Sequence, residues 1–186
     1  MKYLILTDIF GLTPWTDSLK NKLEDLGHQV LVLDPFQGEY LNLADETAAY
    51  AAFCEASSHD GYYQSALTLA KTHLPDTLIG FSAGASAAWR IASNKGLNFK
   101  SIHCFYPSQI RYYHDLSPKY PCQLILPNYE GSFDVAAMGE YLQGRTNLEI
   151  EMSQYGHGFM NPLSVHYNEK AEKLVLRQLL SIASHQ

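Results

Sequence analysis

The chain has 186 residues, of which 46% are hydrophobic and 17% charged, and its formal net charge is -6. This length fits a single globular domain over 1–186, and the composition excludes a disordered chain. The mild acidity argues against nucleic acid or an anionic membrane surface as the main partner, and no apolar run approaches the roughly 20 residues that cross a bilayer.

Short apolar runs alternate along the chain with longer segments of helical spacing. In chain order the predicted elements are strand 3–7, helix 14–26, strand 29–33, helices 44–56 and 62–72, strand 77–81, helix 83–94, strands 99–105 and 123–126, helix 135–142, strand 148–152 and helix 162–182. Continuous apolar strands separated by helices indicate a parallel sheet that is covered on both faces. We therefore expect an α/β fold with about six mostly parallel strands.

The segment 37–73 is the least regular part of this pattern. It contributes helices with no strand between them. A segment of this kind adds nothing to the sheet, so we expect it to form a partial cover over one end of the sheet.

The sequence Gly80-Phe81-Ser82-Ala83-Gly84 matches G-x-S-x-G. An apolar strand runs into it and an alanine-rich helix leaves it, which is the context that a nucleophile elbow requires. The sharp turn exposes the serine oxygen, and the start of the helix favours developing negative charge. Ser82 is therefore the predicted nucleophile; the alternative is a turn in which Ser82 only caps the helix.

A serine hydroxyl needs a nearby base. His157 lies between Gly156 and Gly158, in a loop after the last predicted strand, and this loop can carry the imidazole to the carboxyl edge of the sheet, where ligands bind. We predict His157 as the base, with His166 as the weaker alternative. The remaining histidines are interpreted as packed, surface or loop residues, among them His185.

A third group must orient the imidazole, and in elbow hydrolases it comes between the serine and the histidine in chain order. Asp134 and Glu130 both follow the predicted strand 123–126. Asp134 is preferred here, although it can equally serve as the N-cap of the helix that begins at Val135. Glu130 stays open as the alternative acid.

The remaining site residues come from loops at the same edge. The backbone N–H group of Ala83 and one from the loop Thr7–Gly11 are expected to form an oxyanion hole. Substrate contacts are predicted for Asp8, Phe10, Tyr106 and Phe159, with Tyr62 or Tyr63 added from the cover. For the aromatic residues the alternative is ordinary core packing.

These motifs together resemble the dienelactone hydrolase family of α/β-hydrolases. The resemblance covers the segments 8–11, 80–84, 131–134 and 155–159, in order along nearly the whole chain. It implies an α/β-hydrolase fold in which Asp134 is the acid, His157 the base, and the N–H groups of Ile9 and Ala83 the oxyanion donors.

The sequence departs from that family at two single residues and in one short stretch. Ser82 stands where the family has a cysteine nucleophile, and Asp8 stands where it has a glutamate. Asn161 and Pro162 fill the stretch where the family carries an arginine for the substrate carboxylate. A neutral ester or lactone therefore fits better than an anionic one.

The sequence thus predicts a serine hydrolase of a small ester, working through an acyl-serine without metal or organic cofactor. The alternatives are a thioesterase, peptidase or acyltransferase on the same triad, and an inactive hydrolase scaffold that binds a ligand or a protein. Cys54, Cys104 and Cys122 show no metal-ligand spacing and the N-terminus does not resemble a signal peptide, so we expect a cytoplasmic protein. The oligomeric state, including a homodimer, stays open.

Overall fold

A single parallel sheet organises the computed structural model, which describes residues 1–184; His185 therefore lies outside the described residues. The strands are β1 Lys2–Leu6, β2 Gln29–Leu33, β3 Thr77–Phe81, β4 Ser101–Phe105, β5 Cys122–Leu126 and β6 Leu148–Met152. Their order across the sheet is β2-β1-β3-β4-β5-β6, and every neighbouring pair is parallel. The prediction of about six mostly parallel strands is confirmed.

Helices cover both faces of this sheet. They are α1 Pro14–Asp25, α2 Glu46–Ala56, α3 Ser58–His73, α4 Ala83–Ala92, α5 Val135–Leu142 and α6 Glu169–Ser184, with a short 3₁₀ helix at Ser108–Tyr112. Alternate residues of β1 serve different cores: Leu4 packs with residues of α2 to α5, whereas Ile5 packs with α1 and α6. This alternation is the period-2 geometry of a strand buried on both sides.

Local chemistry fixes where the helices begin. The Thr13 side chain accepts a hydrogen bond from the N–H of Thr16, and Pro14 occupies the first turn of α1, where a missing N–H costs nothing. Asp45 caps α2 in the same way, through a 2.8 Å bond from the N–H of Ala48. The Asp45 cap places the start of α2 at Glu46, two residues later than the predicted start at 44.

Helix α3 is anchored to the sheet by Tyr62, whose side chain is buried. Its hydroxyl lies 2.8 Å from the carbonyl oxygen of Leu33 and 3.1 Å from that of Thr7. The Leu33 carbonyl also accepts a hydrogen bond from the backbone N–H of Thr7, where the two strands end. The contact therefore holds the predicted cover segment against the carboxyl ends of β1 and β2.

The last helix is shorter than predicted. The sequence pattern placed it over 162–182, but α6 begins only at Glu169, and the preceding residues form turns. Asn161 and Ser164 side chains bond to nearby backbone N–H groups, which competes with helix formation. Asn168 then caps α6 by accepting a 3.0 Å bond from the N–H of Ala171.

Two of the three cysteines are buried, as expected: Cys104 in β4 and Cys122 in β5, whereas Cys54 is exposed on α2. Burial raises the pKa of the Cys104 thiol well above its usual range, which keeps it protonated and unreactive. Within residues 1–184, no helix combines the length and the apolar character that crossing a bilayer requires.

Candidate active site

Ser82 lies at the junction of β3 and α4 in a strained backbone conformation. Its φ is 50° and its ψ is -107°, a combination that residues other than glycine rarely adopt. Its hydroxyl makes no capping hydrogen bond to the helix. The alternative in which Ser82 only caps α4 is therefore wrong, and the serine oxygen is free for another partner.

Two glycines allow this turn. A Cβ at Gly80 would lie 2.5 Å from the carbonyl oxygen of Gly84, and a Cβ at Gly84 would lie 2.5 Å from the carbonyl oxygen of Thr7. Both contacts are shorter than real Cβ atoms tolerate, so any side chain would push α4 away from β1 and β3. Glycine at these positions brings the start of α4 directly beneath the serine.

The Ser82 hydroxyl donates a 2.8 Å hydrogen bond to Nε2 of His157. The two residues are 75 positions apart and meet at the carboxyl edge of the sheet. His157 follows β6, and its side chain is 27% exposed, which leaves the imidazole accessible from the cleft. His166, the alternative base, instead packs against the backbone of Gly156.

Glu130 is the carboxylate that reaches the imidazole. Its Oε1 accepts a hydrogen bond from Nδ1 of His157, and its side chain is only 10% exposed. Asn128 ties the two loops together, since its backbone N–H and its side-chain amide bond to the carbonyls of Tyr155 and Gln154. With Nδ1–H directed at Glu130, Nε2 is left to accept the serine proton.

The preference for Asp134 as the acid is wrong for this structure. Asp134 is exposed and its carboxylate accepts a 3.0 Å bond from the N–H of Ala137, so it is the N-cap of α5. The physical reason is loop length: α5 starts immediately after Asp134, which commits that carboxylate to the helix end. Glu130 lies earlier in the loop and has a longer side chain.

The two expected oxyanion donors, Ile9 and Ala83, line the same cleft as Ser82 and His157. The N–H of Ala83 lies in the first turn of α4, where helical amides have no partner in the helix. Ile9 precedes a tight turn in which the Asp8 carboxylate accepts a 2.9 Å bond from the N–H of Phe10. This arrangement can stabilise negative charge on a carbonyl oxygen attacked by Ser82.

Asp8 does not face the cleft, contrary to the predicted substrate contact. Its carboxylate is buried and accepts a 2.6 Å bond from the side-chain amide of Asn161. Burial raises the pKa of Asp8, although the bonds from Asn161 and Phe10 oppose the rise. Asp8 thus connects the loop after β1 to the loop that carries His157.

The aromatic residues predicted to contact the substrate do not line the cleft. Phe10, Tyr106 and Phe159 are at most 4% exposed and pack behind the site; the Tyr106 ring lies 5.1 Å from the His157 ring. Tyr62 is committed to the backbone of β1 and β2, and Tyr63 lies under the guanidinium of Arg90. Core packing, the alternative given for these aromatic residues, describes them better.

Other residues form the cleft, which has a volume of about 370 Å³. Besides the nucleophile, base and oxyanion residues, its walls are Glu46, Thr47, Tyr50, His59 and Ser108. The first four belong to α2 and α3, in the segment that the sequence predicted as a cover. Sequence patterning identified the segment but not the residues, because α2 is rich in alanine and has no clear apolar stripe to orient it.

The first turn of α2 is fastened to the loop after His157. The Ser164 hydroxyl lies 2.9 Å from Oε1 of Glu46 and 3.3 Å from the carbonyl oxygen of His157. The N–H of Val165 approaches the same carboxylate oxygen at 3.4 Å. Ser164 therefore joins the cover to the main chain of the candidate base.

Comparison with known sequences gives one informative relative. The chain is 30% identical over 172 residues to YczH, an uncharacterized protein of Bacillus subtilis (strain 168), and the match covers 89% of this chain and 83% of the relative. No protein-family model matches the sequence.

Several solved structures share the fold. A candidate dienelactone hydrolase from Klebsiella pneumoniae has a TM-score of 0.71 at 15% identity, covering 100% of this chain and 87% of that one. The dienelactone hydrolase-like promiscuous phosphotriesterase P91, from metagenomic libraries, has a TM-score of 0.68 at 16% identity, covering 99% and 85%. Esterase PE8 has a TM-score of 0.56 at 18% identity, covering 97% and 92%. At these identities the similarity establishes the α/β-hydrolase fold.

Proposed function

This chain belongs to the same family as YczH of Bacillus subtilis, and we propose that it is a serine hydrolase that cleaves a small carboxylic ester through an acyl-serine intermediate. The observation that carries the proposal is the hydrogen-bonded series from Ser82 through His157 to Glu130. The hydrolase and esterase names of proteins with the same fold support it.

The first half of the reaction forms the acyl-serine. Nε2 of His157 takes the hydroxyl proton as Oγ of Ser82 bonds to the ester carbonyl carbon, and the carbonyl electron pair moves to the oxygen. The N–H groups of Ile9 and Ala83 stabilise that oxyanion, while the Glu130 carboxylate stabilises the imidazolium. Collapse of the tetrahedral intermediate breaks the bond to the alcohol, which leaves with the proton from His157.

The second half releases the acid. Water gives a proton to Nε2 of His157 and its oxygen attacks the acyl carbon; the resulting intermediate expels Oγ of Ser82, which recovers the proton. The same residues therefore act in both halves, as in other serine hydrolases. The protons in these steps move only between water, the alcohol, Ser82 and His157.

The reducing interior of a cell is the proposed setting. Cys54 is exposed, and all three cysteines of the chain are present as thiols. Free thiols are typical of cytoplasmic proteins, because disulfides form mainly in oxidising compartments.

Labelling with a fluorophosphonate tests the nucleophile directly. The probe phosphonylates an activated serine, and peptide mapping by mass spectrometry identifies the modified residue. We expect labelling at Ser82 near neutral pH, and its loss in Ser82→Ala and His157→Ala. Hydrolysis of p-nitrophenyl esters of increasing chain length then measures the size of the acyl pocket.

Ser86 provides the matched control for this experiment. It lies one turn later in α4, where its hydroxyl bonds to the carbonyl oxygen of Ser82 at 3.0 Å. Ser86→Ala should retain the label at Ser82. Folded protein that takes no label at Ser82 would contradict the proposal and favour a scaffold that only binds.

A further inference from the structure

The wall that α2 and α3 contribute to the cleft is polar, and the proposed reaction uses none of its side chains. Glu46, Tyr50 and His59 face the same space as Ser82 and His157. An acyl pocket for a hydrocarbon chain is lined by apolar side chains, because burying unpaired polar groups against hydrocarbon is costly. This wall instead indicates a substrate with hydrogen-bonding groups next to the ester.

Glu46 presents a carboxylate oxygen that is held in place and still available. Ser164 and Val165 bond to Oε1, which fixes the side chain. No group within residues 1–184 bonds to Oε2. A carboxylate only accepts hydrogen bonds, so its partner in a substrate must be a donor.

His59 belongs to the same wall, and neighbouring rings hold it in place. Its ring packs against Phe53 at 4.9 Å and Tyr50 at 6.1 Å, which fixes its orientation. Its Nε2 is buried and has no hydrogen-bond partner in the described part of the chain. Burial, together with the nearby cation of Arg111, lowers the pKa of His59, so the ring is neutral near pH 7.

The charges around the cleft disfavour an anionic substrate. Glu46 and Glu130 both lie at the site. The guanidinium of Arg111 is the opposing charge, and it already donates to Ser108 and Ser132. A second carboxylate on the substrate would therefore meet mainly like charge.

Among neutral groups, a hydroxyl can donate to Oε2 of Glu46. It can also accept a hydrogen bond, and the hydroxyl side chains of Thr47 and Ser108 line the same cleft. The buried Nε2 of His59 is closed to a substrate, so Glu46 supplies the free acceptor.

We propose that the cleft selects esters that carry a hydroxyl group near the scissile bond, with Glu46 as the specificity-determining residue. The proposal rests on the serine hydrolase function above. It assigns to the first turn of α2 the recognition of a small polyol ester or hydroxy-acid ester.

Matched esters test this selection in a pH-stat. Glycerol monoacetate and propyl acetate differ by hydroxyls on the alcohol side, and methyl 3-hydroxybutyrate and methyl butyrate differ by one on the acid side. Monomethyl succinate adds a carboxylate. We expect kcat/KM to be about tenfold higher for the hydroxylated member of at least one pair, since hydrogen bonds to charged groups are the strong ones. Monomethyl succinate should be the poorest substrate.

One variant and two controls locate the effect. Glu46→Gln keeps the shape and the bond from Ser164 but removes the charge, so it should reduce the hydroxyl preference about fivefold to tenfold and improve turnover of monomethyl succinate. His59→Phe keeps the ring packing and removes only the buried Nε2, so it should leave the preference unchanged. Glu55→Gln, an exposed carboxylate of the same helix, should also leave it unchanged.

The outcomes separate this proposal from the proposed function. Absence of fluorophosphonate labelling at Ser82 overturns both. Labelling at Ser82 with any one of three results overturns the substrate class alone: equal rates for both members of each pair, an unchanged preference in Glu46→Gln, or no hydrolysis of any of these esters. Activity highest on monomethyl succinate overturns it as well.

Discussion

Glu130 and Asp134 lie four residues apart in the loop after β5, and their carboxylates have different partners. Glu130 bonds to the imidazole, whereas Asp134 caps α5. We expect Glu130→Gln to reduce kcat by about 10³–10⁴-fold, because the tautomer of His157 loses its support. Asp134→Ala should keep kcat and lose about 1 kcal/mol of unfolding free energy.

Ester hydrolysis and urea denaturation of both variants check this assignment. Loss of activity in Asp134→Ala with retention in Glu130→Gln would reverse the assignment of the acid.

Asp8 has a stability effect that depends on pH. Because burial raises its pKa, folding favours the protonated carboxyl. Its stabilising contribution is complete below the unfolded value of about 3.9 and is lost as the pH rises through the raised folded value. We expect wild type to lose stability relative to Asp8→Asn as the pH rises from about 4 toward neutrality.

Urea denaturation of the two proteins across that range measures the difference. Asp25→Asn on the exposed face of α1 is the control and should track wild type. A wild type that gains stability over Asp8→Asn as the pH rises would show that the hydrogen bonds from Asn161 and Phe10 outweigh burial.

At the scale of elements, the close approach of α4 to β1 depends on Gly84. An added Cβ would overlap the carbonyl oxygens of Leu6 and Thr7, which are backbone atoms and cannot rotate away. Gly84→Ala should therefore cost about 3 kcal/mol or more. Thermal unfolding followed by circular dichroism measures the loss.

Gly131→Ala serves as the control, because the nearest atom to its Cβ is 3.8 Å away and the residue is exposed. This substitution should change the midpoint of thermal unfolding little. Equal midpoints for Gly84→Ala and wild type would mean that α4 and β1 are packed less closely than in this structure.

The sequence predicts an element well when local residue patterns determine it, and poorly when particular side-chain contacts determine it. Strand and helix alternation is local, so all six strands and the Ser82 elbow could be predicted. His157 could be placed because glycines mark its loop and the edge of a parallel sheet is a known ligand position. The start of α6 could not, because the side chains of Asn161 and Ser164 form turns in a segment of helical composition.

Side-chain partners across the molecule were harder to predict. The choice between Glu130 and Asp134 depends on the exact start of α5 and on the contacts of Asn128, which are tertiary properties. Aromatic residues such as Tyr106 and Phe159 were assigned to the cleft because they lie near it in sequence, yet they fill the core behind it. No sequence motif marks Glu46 and His59 as residues of the polar wall.

At the scale of the whole molecule, the net charge of -6 and the carboxylates at the cleft act together on charged substrates. If the proposed activity holds, an anionic ester should be repelled at low ionic strength. Raising NaCl from about 10 to about 300 mM shortens the screening length severalfold and should raise kcat/KM for monomethyl succinate by about twofold to fivefold.

Methyl butyrate is the neutral control and should change little under the same conditions. A fall in kcat/KM for the anionic ester with added salt would indicate attraction, and hence a dominant contribution from Arg111.

Ser164 joins Glu46 of the cover to the carbonyl of His157, and this has a mechanical consequence. An outward displacement of the first turn of α2 breaks a contact of the residue that steadies the histidine loop. The position of α2 at the cleft and the alignment of the imidazole therefore depend on the same hydroxyl group.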